Sequence, residues 1–259
     1  GNQVAEYQAQ DFMKIPAEPV FDENGVWKTV KVSIAGRDLH ARIWKVAVGR
    51  TDLYLLDTDY EDNIPEDRQV THQLYGGDWE NRLKQEILLG IGGVRALRAL
   101  GLHPTIYHYN EGHAAFAGLE RLRECMREQQ LSFAESMELI RASGLFTTHT
   151  PVPAGHDAFT EDLLGRYIGY YPQAIGIDWR TMMSLGKVNP DDHNEEFSMS
   201  FLAANMSQNV NGVSMLHGKV SREIFSRMYP GYLPEELYIS YVTNGVHYPT
   251  WAARDWKLV

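Results

Sequence analysis

The run WENRLKQEILLGIGGVRALRAL (79–100), followed by TIYHY (105–109) and then Asn110-Glu111-Gly112-His113, decides the fold. Leu83, Ile87, Leu88, Ile91, Val94, Leu97 and Leu100 recur at spacings of three and four, so residues 79–100 read as a long helix with one apolar stripe. TIYHY reads as a buried strand. The same alternation continues downstream. Ala114 to Met126 and Phe133 to Ile140 read as helices, the second preceded by the cap candidate Ser132, and Leu145 to Thr148 as a short strand. Helices are expected near 160–169, 179–185, 197–206 and 214–228, and Leu237 to Val242 is the last strand. Upstream the period is two. Val26 to Ile34, His40 to Ala47 and Leu53 to Leu56 read as an antiparallel meander, and the acidic stretch Asp57 to Gln73 as a loop. The expected fold class is therefore α/β, a parallel sheet with helices plus a small antiparallel β element.

The chain has 259 residues and a formal net charge of −10. An acidic balance argues against a nucleic-acid surface, which needs clustered Lys and Arg. The longest apolar run, Ile87 to Val94, is far shorter than a membrane span. The single cysteine, Cys125, fits a reducing, cytoplasmic compartment and reads as a packing residue. Gly1-Asn2-Gln3, without an initiator Met, reads as the scar of a removed tag, residues 1–13 as an irregular lead-in, and the whole as a piece of a longer protein.

Familiar chemistries fail on spacing. Asp57-Thr-Asp59-Tyr-Glu61 opens like a calcium loop, but Asp62 stands where Gly is required and Arg68 where Glu is required. Gly90-Ile-Gly92-Gly93 follows a helical segment rather than a strand, so close packing of that helix against the sheet accounts for its glycines. His108 and His113, five apart, and His149 and His156, seven apart, miss the i, i+4 spacing of a helical metal pair, and no metal is expected. What remains is positional: ligands gather at the carboxyl ends of parallel strands. TIYHY runs into Asn110-Glu111-Gly112-His113, GLFTT into His149-Thr150-Pro151, and YISYV into Thr243-Asn244-Gly245-Val246-His247. These neutral and acidic hydrogen-bonding groups suit a polyhydroxylated ligand better than a phosphate-rich one; taken singly, each cluster is equally well explained as turns and caps.

Four stretches, NEGHAAF (110–116), THTPVPAGHD (148–157), VNGVSMLH (210–217) and TNGVH (243–247), together with RLKQE (82–86), resemble the α-glucan (glycogen or maltodextrin) phosphorylases, and most closely their shorter bacterial and archaeal branch. The resemblance runs in order from about Lys14 onward. It implies two facing Rossmann-like domains (GT-B), of which residues 14–259 are the later portion of the first, glucan-binding one. It implies transfer of a glucosyl unit from an α-1,4-glucan end to orthophosphate, giving glucose 1-phosphate. The implied cofactor is pyridoxal phosphate, whose lysine is expected beyond Val259, and a homodimer is expected of the parent protein. By position, His149 is similar to the family histidine that holds the glucose 6-hydroxyl and directs its backbone carbonyl at the anomeric carbon. Asn244 resembles the asparagine on the same hydroxyl, Val213 a residue lining its pocket, and Glu111 and His113 groups beside the anomeric face. Such a site fits an oxocarbenium-like transition state served by oriented dipoles and a nearby carboxylate. Glu111 departs from the mammalian pattern, which has Asp there, and Thr148 stands where that pattern has Asn. His217 reads as a structural histidine and stays outside the expected site. The isolated chain is expected to be inactive. Two other functions compete, a fragment of a GT-B glucan synthase and a non-catalytic glycan-binding module; a metallohydrolase would require bound zinc.

Overall fold

The computed structural model describes Gln8 and residues 10–12, 14–74 and 76–253. Gly1-Asn2-Gln3 and Trp256, on which the reading of the two ends partly rests, lie outside them. The first unit is an antiparallel sheet of β1 (Ala17–Pro19), β2 (Thr29–Ile34), β3 (Arg37–Val48) and β4 (Thr51–Asp57). The long β3 pairs with β2 through Arg37–Arg42, with β1 through Trp44–Val46, and with β4 along Arg42–Val48. The period-two pattern turns Val30, Val32, Ile34, Leu39, Ala41 and Ile43 inward, and all six are buried. Ala35 and Gly36 close the β2–β3 hairpin with φ of +46° and +77°, the sign that a type I′ hairpin turn requires at both positions.

The segment read as a loop contains a short helix, α1 (Pro65–Arg68). Its Asp67 is buried and accepts two hydrogen bonds from the Arg37 guanidinium, at 2.6 and 2.9 Å, so this acidic stretch is anchored to the sheet. The predicted long helix is continuous: α2 (Trp79–Ile87), a π-helical stretch Leu88–Gly92, and α3 (Gly93–Ala99). The Asp78 carboxylate caps it by accepting from the Asn81 N–H at 2.9 Å. The glycines here serve two contacts, one helix to helix and one helix to sheet, where only the second was expected. A Cβ on Gly90 would lie 2.6 Å from Cβ of Phe116, which opens α4 (Phe116–Arg127), so the tight approach is helix to helix. Gly92 faces Val32 and Leu56 of the antiparallel sheet instead.

The second unit is a parallel sheet. β5 (Tyr107–Asn110) is followed by α4 and by α5 (Phe133–Ala142), whose capping box joins Ser132 and Glu135 as the cap candidate predicted. β6 (Gly144–Thr147) leads into a clip of two short strands, β7 (Ala158–Phe159) and β8 (Phe197–Ser198). Between them lie α6 (Glu161–Ile168), α7 (Tyr171–Ile175) and α8 (Trp179–Ser184), and after them α9 (Met199–Asn205). β9 (Asn209–Gly212), α10 (Met215–Phe225), β10 (Ile239–Tyr241) and α11 (Tyr248–Trp251) complete the described chain. The strand order is β10-β9-β6-β5, every pair parallel. Tyr109, Phe146, Val210 and Ile239 align across the sheet as one buried apolar row. β5 is an edge strand, which leaves His108 and Asn110 exposed where a fully buried strand was expected. β9 went unread in the sequence, because Asn-Val-Asn-Gly offers one apolar residue in four. Cys125 is buried, and burial pushes its thiol pKa up, as suits a packing residue. Among the described residues no helix is long and apolar enough to cross a membrane.

Two of the three glycines of the long helix, Gly90 and Gly93, give opposite expectations. Gly90→Ala meets Phe116 and Ala117 below 3 Å and should lower stability by about 1–3 kcal/mol. Gly93 has nothing within 4 Å of an added Cβ, so Gly93→Ala should raise stability by about 0.5–1 kcal/mol. Urea unfolding of the two variants checks the pair.

Candidate functional site

The four parallel strands end on one side of the molecule, and the loops leaving them must satisfy backbone groups that the ladder no longer pairs. Glu111, the residue after β5, has φ of +65° and ψ of −179°, a region that is nearly glycine-only and costs about 1–3 kcal/mol. In this conformation its carboxylate accepts from the His149 N–H, and from the Thr150 hydroxyl at 3.0 Å. The Thr148 N–H donates to the Asn211 carbonyl at 3.0 Å, which ties the loop after β6 to β9. Beneath it the Thr147 hydroxyl donates to Asn211 Oδ1 at 2.9 Å. The Val213 carbonyl accepts from the Asn244 N–H at 3.1 Å, which ties the turn after β9 to the turn after β10. One network therefore joins Glu111, His149, Val213 and Asn244 along the carboxyl edge of the sheet. The side chains of His149 and Asn244 are exposed, while the backbone beneath them is held.

His113 belongs to a neighbouring cluster. Its Nδ1 lies 2.9 Å from Asp157 Oδ2 and 3.8 Å from Glu86 Oε1. Arg82 of α2 reaches Asp157 at 2.7 Å and Glu86 at 3.0 Å. Glu86 is 1% exposed, and neither of its oxygens has a partner in hydrogen-bond geometry among the described residues. Burial therefore pushes its carboxyl up to about 7. The hydrogen bond to Asp157, and then the nearby carboxylate of Glu86, push the His113 imidazole up to about 9. Burial alone would raise the Asp157 carboxyl, but His113, Glu86 and Arg82 outweigh it and hold that group far below the usual carboxylate range. Glu86, His113 and Asp157 are close enough to share a cation, but the Arg82 guanidinium already supplies the positive charge. Beside this cluster a cavity of about 690 Å³ opens between the long helix and β5, largely apolar, with Arg82, Glu86, His108 and His113 among its lining. Glu111, His149, Val213 and Asn244 do not line it.

The sequence signature of the carbohydrate phosphorylases matches residues 96–255, well over half of the chain and all four strand ends. The chain belongs to the carbohydrate phosphorylase family. It is 43% identical to a glycogen phosphorylase of Mycobacterium tuberculosis (strain H37Rv) over 96% of its length. It is 38% identical to a maltodextrin phosphorylase of Thermococcus litoralis over 99% of its length, and 34% identical to a glycogen phosphorylase of Aquifex aeolicus over 93%. The chain spans about 30% of the first two relatives and 34% of the third.

Of the five residues singled out from the phosphorylase resemblance, the structure brings four into one network and turns the fifth, His113, into the adjacent charge cluster. Three partners of His113 went unread: Arg82 and Glu86, one turn apart on α2, and Asp157, 44 residues downstream of His113. Arg82 and Glu86 lay within RLKQE, but nothing in that string names its partners. Thr147 and Asn211 were missed for the same reason, since each acts through a contact distant in sequence, whereas His217, read as a structural histidine, is buried and bonded to Val213 and Thr150.

The charge cluster predicts a pH dependence. His113 has its pKa raised, so its stabilising contribution is complete below about 6.5 and is lost as pH rises through about 9. Glu86 is likewise raised, so its contribution is lost as pH climbs through about 7. Both act in one direction, and stability should fall from about pH 4.5, where Glu86 begins to lose its proton in the unfolded chain, to about pH 9. Glu86→Gln should remove the part of the fall between about pH 4.5 and pH 7 and keep the later part due to His113, as read from urea-unfolding midpoints across the whole range.

Proposed function

We propose that the chain is part of an α-glucan phosphorylase, an enzyme that moves a glucosyl unit from the non-reducing end of an α-1,4-glucan to orthophosphate and releases glucose 1-phosphate. One observation carries this reading: in a chain of the carbohydrate phosphorylase family, Glu111, His149, Val213 and Asn244 share one hydrogen-bonded network at the carboxyl edge of the parallel sheet. In this proposal the exposed side chains of His149 and Asn244 bind the 6-hydroxyl of the terminal glucose, and Val213 lines the same pocket. The His149 carbonyl faces the anomeric carbon, where a fixed dipole favours developing positive charge. Glu111 is assigned to orientation, because its carboxylate already holds the His149 N–H and the Thr150 hydroxyl. His113 stays part of the proposed substrate surface through its place next to that loop.

The same reading includes a GT-B enzyme of two Rossmann-like domains, with residues 14–259 as the later portion of the first. It includes a cytoplasmic location, a homodimer, and glucan and orthophosphate as the partners. Pyridoxal phosphate, whose phosphate group supplies proton transfer to the substrate phosphate in this family, is proposed for the whole enzyme. That cofactor needs a lysine, and the strand-end network is built of carboxylate, hydroxyl, amide and imidazole groups. The chain's own residues are therefore assigned to gripping and orienting the sugar only.

Two measurements test the proposal. With maltodextrin and phosphate, the full-length phosphorylase containing this segment should release glucose 1-phosphate and residues 1–259 alone should release none. In the full-length enzyme His149→Ala should lower kcat by about 100-fold or more, the scale of losing one group aimed at the transition state; unchanged kinetics would remove His149 from the site.

A further inference from the structure

The loop carrying His149 is held from two sides, and only one of them is Glu111. On the other side stands His217, in the first turn of α10 and 7% exposed. Its Nδ1 accepts the Val213 N–H at 3.1 Å, so in the neutral ring the proton resides on Nε2. That Nε2 faces the Thr150 carbonyl at 3.1 Å, a group that can only accept. The two contacts therefore demand the same tautomer. Local structure places the ring: the Ser214 hydroxyl caps α10 by accepting the His217 N–H at 3.1 Å. Gly212 leaves room for it, since a Cβ there would lie 2.8 Å from His217 Nδ1. The imidazole thus spans the turn that carries Val213 and the loop that carries His149, the two elements that must keep a fixed separation if one sugar ring is to touch both.

We propose that His217 is a positioning residue of the glucosyl site, its Nε2–H holding the Thr150 carbonyl and thereby the His149 loop at a set distance from the Val213 turn. This rests on the phosphorylase reading given above. His217 touches no substrate in this account. Its effect passes through the backbone of residues 148–150, where a displacement of about 1 Å can cost on the order of 100-fold in rate.

Two substitutions separate this role from mere packing. The amide nitrogen of His217→Gln stands near Nε2 and keeps a donor for Thr150. The shorter His217→Asn keeps an acceptor near Nδ1 for Val213 and loses the donor. In residues 1–259, amide hydrogen exchange over 148–152 should quicken in His217→Asn and stay near wild type in His217→Gln. In the full-length enzyme kcat should fall about 10–100-fold in His217→Asn and by less than about threefold in His217→Gln. Unchanged exchange in His217→Asn, or equal losses of kcat in both variants that follow their losses of stability, would overturn the proposal. So would normal kcat in His217→Asn despite a loosened loop. An inactive wild-type parent is a separate outcome: it sinks the phosphorolysis reading, and with it the catalytic part of this one, while the exchange result still reports on the loop.

Discussion

Parallel strands of three or four residues give a chain very little ladder to hold on to, and what happens at their ends governs this molecule. The aligned row Tyr109, Phe146, Val210 and Ile239 is the last place where apolar burial and ladder bonds coincide. The next row, Asn110, Thr147, Asn211 and Ser240, is polar. Polar groups that leave a buried sheet must find partners or lose about 1–3 kcal/mol each. Side chains meet that demand here: Glu111 takes the His149 N–H, Asn211 takes the Thr147 hydroxyl, and His217 takes the Val213 N–H and the Thr150 carbonyl. The strained backbone at Glu111 follows from the same demand, since its conformation directs the carboxylate back over the loop from β6.

The charge cluster under the long helix answers a different problem. Asp157 stands in the loop between β6 and β7, and His113 in the turn after β5. Arg82 and Glu86 come from α2, which packs across both. Two carboxylates and a histidine with one guanidinium can sit together out of water only if the charges balance. A Glu86 that titrates near 7 beside a His113 that stays protonated provides that balance in the neutral range. The cluster consequently locks the His149 loop to the helix at its far end, at Asp157, while Glu111 and His217 lock it at its near end.

What could be read from the residues alone follows the range of the interactions involved. The antiparallel meander, the long helix and the Ser132 cap are written in local periodicity and in contacts three or four residues apart, and they are found as expected. β9 carries its place in the sheet through neighbours more than 60 residues away along the chain on one side, so its short polar string gave no local sign. The same holds within the site. That His149 and Asn244 stand just past strand ends was legible in their motifs, whereas the groups that hold their loops are defined by pairings such as Thr150 with His217, 67 residues apart. The glycines at 90 and 92 show a mixed case: close packing was inferable from their presence in a helix, but not that the surfaces would be α4 and the antiparallel sheet.

The chain covers about 30% of the length of two of its relatives, and the turns along its sheet edge are tied to one another by hydrogen bonds within that span. Each of these loops has its backbone bonded to an adjacent loop or strand end. Meanwhile the side chains of His149 and Asn244 are left exposed. A fixed backbone with free polar side chains limits the entropy lost when a ligand arrives, because only a few rotamers remain to be frozen. The sheet edge thus sets the geometry in advance, because the backbone has already chosen the directions in which these polar side chains can offer hydrogen bonds.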